Sequence, residues 1–263
     1  MSQSTETALS EQDQPEPSQS RAPVPRQASF TERLRSNPAT AGIIIATGLV
    51  FLGQIASEQI FGFDLLLALG AKQNSAILQG QLWRYFTPIL IHVGYLHFFI
   101  NMYSLYVIGP PVERPFGPIR YISVYFLSGL GGVAASIAFS QAPSAGASGA
   151  IFGLLGALAG FLFRHRELLG RAGTGQLRHI VMLAIINLAI GLSPGIDNWG
   201  HFGGLITGLA LSFWLGPEYQ VEWNPEGIGR MVDQRRWRSV WPRAIGAGAL
   251  VVLFLVAATL SPA

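Results

Sequence analysis

The sequence contains no cysteine, which excludes a disulfide framework, a thiolate metal site and a thiol nucleophile together. Charge is scarce as well. Asp, Glu, Lys and Arg make up 12% of the 263 residues, against about 25% in ordinary soluble domains, so the composition points to a lipid bilayer as solvent. A net charge of +3 is too small to suggest a nucleic-acid binder. The sequence shows no metal-ligand cluster, nucleotide loop or cofactor motif, so neither a cofactor nor a metal is expected. Nor is there an apolar h-region behind a basic N-terminal cluster, which argues against a cleavable signal peptide, and acidic residues near the start argue against an organellar transit peptide.

Long apolar runs take up the space left by charge. A spanning helix needs roughly 20 mostly apolar residues, and seven candidates occur, at 41–60, 94–112, 119–140, 148–163, 178–193, 200–215 and 244–260. Residues 1–40, rich in Ser, Gln, Pro and charge, read as a disordered tail. The stretch 61–93 is apolar but broken by Lys72, Gln73, Asn74, Gln79, Gln81 and Arg84, and is expected to lie in the interface. Residues 217–243 read as a basic linker before the last span. With the N-terminus in the cytoplasm, the inside loops collect fifteen arginines, leaving Lys72 and Arg84 outside. That asymmetry predicts N-terminus in and C-terminus out.

Ionisable and hydrogen-bonding residues inside spans are functional candidates. His92, His97 and Asn101 stand at the start of the second span, Ser148 at the start of the fourth and His201 at the start of the sixth. The topology gives all three spans one direction, so these residues are predicted to share a depth near the outer face. A serine, a histidine and an amide donor at one level suit nucleophilic acyl transfer. Two glycine stripes begin at the same places: Gly149, Gly153, Gly156 and Gly160, and Gly200, Gly204 and Gly208. Small residues at this spacing let helix backbones approach closely, which would bring Ser148 to His201.

These residues also carry a resemblance. GASGAIFGLLG (146–156) resembles the Gly-x-Ser-Gly motif of rhomboid proteases, GHFGGLITG (200–208) their histidine helix, and HVGYLHFFIN (92–101) the His-x-x-x-x-His-x-x-x-Asn pattern of their second helix. Trp83-Arg84 and Glu113-x-x-x-Gly117 are supporting matches. The resemblance covers about residues 40–215 and implies an all-α polytopic membrane protein with a six-helix rhomboid-like core (41–216) plus a C-terminal transmembrane helix (244–263). It implies a catalytic dyad of Ser148 and His201, with Asn101, His97 and backbone N–H groups near Ser148, in the Gly146 loop, forming the oxyanion hole. Phe152 would stack on His201, where relatives often carry a tyrosine. Transmembrane protein substrates, a bacterial inner-membrane location and a cut near the outer face follow as expectations.

Blander readings stand beside these. Ser148 could be a helix N-cap, and His201, His97 and Asn101 could bond neighbouring helices only. Asp197 is the one candidate for a third catalytic member. His92 divides between structural and supporting roles, Trp83 and Arg84 read as loop anchors, and Glu113 and Gly117 as structural. His165 and His179 are expected to be solvated. A catalytically inactive client-binding relative and a transporter or channel are the competing functions, although no internal repeat of the transporter kind is visible.

Overall fold

A computed structural model of the chain describes residues 29–235 and 237–260. Most of the expected 1–40 tail therefore lies outside the described residues. Its end is helical: α1 (Phe30–Arg35) opens with a capping box, in which Ser29 and Glu32 satisfy each other's backbone N–H groups. α2 (Pro38–Phe61) follows after Asn37.

The stretch 61–93 folds into α3 (Leu65–Gly70), α4 (Asn74–Leu78) and two turns of 3₁₀ helix. The bundle continues with α5 (Gly94–Phe116), α6 (Pro118–Phe139), α7 (Ser148–Arg164), α8 (Arg166–Ile190) and α9 (Asn198–Leu215). Two strands, β1 (Tyr219–Trp223) and β2 (Gly229–Asp233), then pair antiparallel ahead of α10 (Trp237–Leu260). The fold is thus all-α apart from this hairpin, which occupies part of the segment expected to be a linker.

Seven of the helices correspond to the expected spans. Pro38–Phe61, Pro118–Phe139, Arg166–Ile190 and Val240–Leu260 are long and apolar enough to cross a membrane by composition alone. The other three carry the polar residues of interest. α5 holds His97, Asn101, Glu113 and three prolines, α7 has only 17 residues, and α9 has 18. α8 begins earlier than the sequence suggests, at Arg166, and leaves helical geometry at Gly170, whose φ of 57° suits glycine.

α7 is the axle of the bundle, buried without a break from Ala150 to Leu158. α6 and α9 lie against it, while much of α8 and α2 is left facing outward. α10 packs along α6 through Val240, Ala247, Val251, Leu255 and Ala258, a stripe at helical period, and its Thr259 hydroxyl meets that of Tyr85 at 2.8 Å. At the other end, α2 has no cap of its own. Glu113 of α5 supplies one, its carboxylate accepting from the N–H groups of Ala39 and Thr40 (each 2.8 Å) and the Thr40 hydroxyl (2.7 Å).

Candidate active site

The loop that delivers Ser148 is held from several sides. Gly146 has φ 141°, and its N–H donates to the Pro88 carbonyl at 2.8 Å. A Cβ at this position would come within 2.5 Å of the His97 ring, so only glycine fits between α5 and the start of α7. The N–H of the next residue, Ala147, donates to His92 Nε2 at 3.3 Å. His92 is itself clamped by Gln54 of α2, which accepts from its N–H (3.0 Å) and donates to its carbonyl (2.9 Å). Upstream, the fully buried Lys72 bridges its backbone to Ser144, while its ammonium donates to the carbonyls of Ser140 (2.7 Å) and Ala142 (3.0 Å). Asn74 adds amide bonds to the Ile137 and Ser140 carbonyls.

His201 arrives on the first turn of α9, which Asp197 caps by accepting from the Gly200 N–H at 2.9 Å. The two glycine stripes are where α7 and α9 touch. A Cβ at Gly204 would lie 2.0 Å from the Gly149 carbonyl oxygen, and one at Gly208 1.9 Å from that of Gly153. Only hydrogens fit at these positions, and the helices meet backbone to backbone.

That contact brings Ser148 Oγ to 2.9 Å from His201 Nε2, inside hydrogen-bond range. Phe152, one turn along α7, stacks on the imidazole at 4.4 Å between ring centroids and 14° between planes, fixing its tilt. His201 Nδ1 has no hydrogen-bond partner among the described residues. Asp197 uses Oδ1 at the helix cap and makes no hydrogen bond to the His201 ring among the described residues. The pair stands in a cavity lined by Gly146, Gly149, Ala150 and Gly200. As opening residues of α7, Ser148 and Gly149 have N–H groups with no intrahelical carbonyl to meet, and these lie at the positive end of the helix dipole.

The structure thus draws Ser148, His201, Phe152, Gly146 and His97 into one cluster. Asn101 is buried on the same helix face as His97, and its side-chain amide donates to the His97 carbonyl at 2.9 Å. One such bond leaves the second amide hydrogen for another acceptor. Trp83 and Arg84 anchor the 61–93 loop: the indole donates to the Leu69 carbonyl, and buried Arg84 donates to the carbonyls of Ala68 and Ala71 and to Gln81. Gly117, with φ 74°, makes the turn between α5 and α6.

His165 corrects the expectation of a solvated side chain. It is buried at the end of α7, with Nδ1 2.8 Å from the Phe161 carbonyl and Nε2 accepting from the Tyr219 N–H at 3.0 Å. β1 could reach it only because the chain folds back after α9, a long-range contact invisible in the local sequence. His179 is exposed, as expected. Gln54 and Lys72 were missed as site supports. Its position in the interior of the first span, behind an apolar run, was the available signal for Gln54.

Comparison with known proteins gives a consistent picture. Residues 79–218 match the Rhomboid domain. The chain is 45% identical over 155 residues to "Rhomboid protease GluP" of Bacillus subtilis (strain 168), covering 58% of this chain and 30% of that protein. It is 37% identical over 179 residues to "RHOMBOID-like protein 5" of Arabidopsis thaliana, covering 66% and 57%. A third relative, "Rhomboid-like protease 1" of Toxoplasma gondii, is 30% identical over 198 residues, covering 72% and 62%. The chain therefore spans between about a third and three fifths of the length of these relatives.

Proposed function

The chain belongs to the rhomboid family, and from that premise we propose that it is an intramembrane serine endopeptidase in which Ser148 and His201 cut transmembrane segments of other proteins. The 2.9 Å contact between Ser148 Oγ and His201 Nε2 carries this reading. Nε2 takes the hydroxyl proton as Oγ attacks the scissile carbonyl carbon, giving a tetrahedral intermediate. The oxyanion is received by the N–H groups opening α7, with Asn101 and His97 as further donors. Collapse breaks the C–N bond, and His201 returns the proton to the departing amine. Water then attacks the acyl-enzyme, again losing its proton to His201, and releases Ser148.

Depth and side follow from helix length and charge. α7, with 17 residues, is about 25 Å long at 1.5 Å per residue, short of the roughly 30 Å of hydrocarbon. If it starts level with its neighbours at the cytoplasmic face, Ser148 lies below the outer surface in a wet cavity. We place the N-terminus in the cytoplasm, the C-terminus outside and the cut near the outer end of the substrate segment, in a bacterial inner membrane. A substrate helix must unwind there to expose a carbonyl, and local Gly or Pro helps it to do so.

The test is cleavage of a model transmembrane substrate in vesicles, with fluorophosphonate labelling in parallel. Ser148→Ala and His201→Ala should each remove essentially all proteolysis while membrane insertion persists, and Ser148→Ala should remove the label. More than a few per cent of activity in Ser148→Ala would overturn the assignment. An unlabelled, inactive native protein would instead favour client binding without catalysis. Products mapped to the cytoplasmic end of the substrate would overturn the orientation.

A further inference from the structure

The hairpin lies at the end of the bundle opposite Ser148 and His201. Side chains alternate between faces along a strand, so Tyr219, Val221 and Trp223 share one face with Asp233, Met231 and Gly229 opposite them. At the root this face looks onto the helix ends. The Tyr219 hydroxyl donates to the Pro115 carbonyl at 2.9 Å, and its ring lies against Phe161 and His165. Val221 is still half-buried. Trp223, two residues further out, is 71% exposed, Met231 55% and Ile228, in the turn, 62%. The Trp223 ring lies over Gly229, where a Cβ would come within 3.1 Å of it. The other face carries Gln220, Glu222, Arg230 and a half-buried Val232, with Glu222 bonded to Gln234.

Four residues of strand carry Trp223 about 13 Å outward from the Tyr219 root. A face that looks onto helix ends at its root looks onto lipid where it overhangs them. Exposed Arg238 and Arg243 flank exposed Trp241 where α10 enters its apolar run, and Arg230 stands on the hairpin itself. The acidic residues at the root are already engaged, Asp233 by Arg120 at 2.6 Å and Glu218 by Arg235 at 2.9 Å. Tryptophan favours the interfacial zone, and arginines beside it attract acidic headgroups. We propose that the 219–233 hairpin is a membrane-interface anchor: Trp223, Ile228 and Met231 dip into the leaflet across the bilayer from Ser148, with the neighbouring arginines on acidic headgroups. The proposal rests on the membrane reading of the chain and not on its chemistry.

The absence of cysteine makes the test direct. Single variants Ile228→Cys, Met231→Cys, Gln220→Cys and Glu222→Cys of the full chain are spin-labelled in nanodiscs of phosphatidylcholine, with and without phosphatidylglycerol. Collision with oxygen is compared with collision with a water-soluble nickel chelate. Labels at 228 and 231 should favour oxygen by several-fold over labels at 220 and 222, and the contrast should grow with phosphatidylglycerol. Adding Trp223→Ser should shrink it at 231. Four labels equally open to nickel in both bilayers would overturn the proposal and leave the face to a protein partner. Proteolysis is not the readout, so failure of the catalytic reading and failure of the anchor give different results.

Discussion

A Cβ added at Gly204 would sit 2.0 Å from the Gly149 carbonyl oxygen, whereas ordinary contact begins at 3.4 Å. Gly204→Ala therefore requires α7 and α9 to part locally by about 1.4 Å, because the obstructing atom is backbone and cannot rotate away. Gly149 adjoins Ser148 and Gly204 is one turn from His201, so most of that displacement falls on the 2.9 Å contact between them. The separation would exceed 4 Å, beyond hydrogen-bond range. Misplacement of about 1 Å at a reacting pair can cost on the order of 10²-fold in rate, or about 2.7 kcal/mol of barrier. Overpacking should also cost about 1–3 kcal/mol of stability. The assay is turnover of a transmembrane substrate, read with fluorophosphonate labelling and thermal unfolding in the same detergent. Gly42→Ala, where a Cβ meets nothing within 4 Å, is the control and should behave as wild type. Gly204→Ala with turnover within threefold of wild type and an unchanged unfolding temperature would refute the claim that backbone contact sets the dyad distance.

Lys72→Met should lower turnover several-fold by freeing the Ser140 and Ala142 carbonyls and loosening the loop into Ser148, with partial recovery in Lys72→Arg; equal turnover in both variants would remove Lys72 from the site's support. Glu113→Ala should strip the first turn of α2 of its acceptors and cost about 2 kcal/mol or more, since bonds to a charged group are worth roughly 1.5–3 kcal/mol each, lowering the unfolding temperature while leaving Ser148 open to labelling. Partial burial of Asp233 raises its carboxyl pKa, but the Glu218 N–H, Arg120 and the Arg235 N–H outweigh this and hold it below the ordinary value. Its stabilisation of the hairpin is therefore present above the unfolded carboxylate range near 3.9 and fades as pH falls from there through the lower folded value. Hydrogen exchange of residues 219–233 should accelerate in that acid window, and Asp233→Asn should flatten the response.

Much of this architecture was legible because each helix announces itself locally. Helices stand at all seven expected spans, four of them long and apolar enough to cross a membrane, and the glycine stripes of α7 and α9 mark a close contact in the sequence itself. What stayed hidden was pairing across long sequence separation. Glu113 was readable as a structural acid, but nothing near it indicates that its partners are N–H groups 73 and 74 residues earlier. Lys72 was counted as an outer-loop charge, yet it is buried among carbonyls. The hairpin was obscured by the run of arginines that begins at Arg230 and continues past it, although Tyr219, Val221 and Trp223 alternate at strand period ahead of an Asn-Pro-Glu-Gly turn. His165 looked solvated because its company is basic in sequence, while its hydrogen-bond partners lie one turn back in α7 and across the fold in β1.

The network around the hairpin also bears on the order in which the chain is made. Arg120 is buried, and its guanidinium is met by Asp233 and by the Arg235 carbonyl; His165 waits for Tyr219. Both acceptors of α6 and the donor to α7 are synthesised only after α9, more than 50 residues after His165 and more than 110 after Arg120. A ribosome that stalls within α9 thus leaves Arg120 and His165 without the Asp233, Arg235 and Tyr219 groups that meet them in the finished fold. The last polar segment before α10 acts as a latch that closes after the helices have entered the bilayer, and nascent chains cut short of it should be poor competitors against quality-control proteolysis.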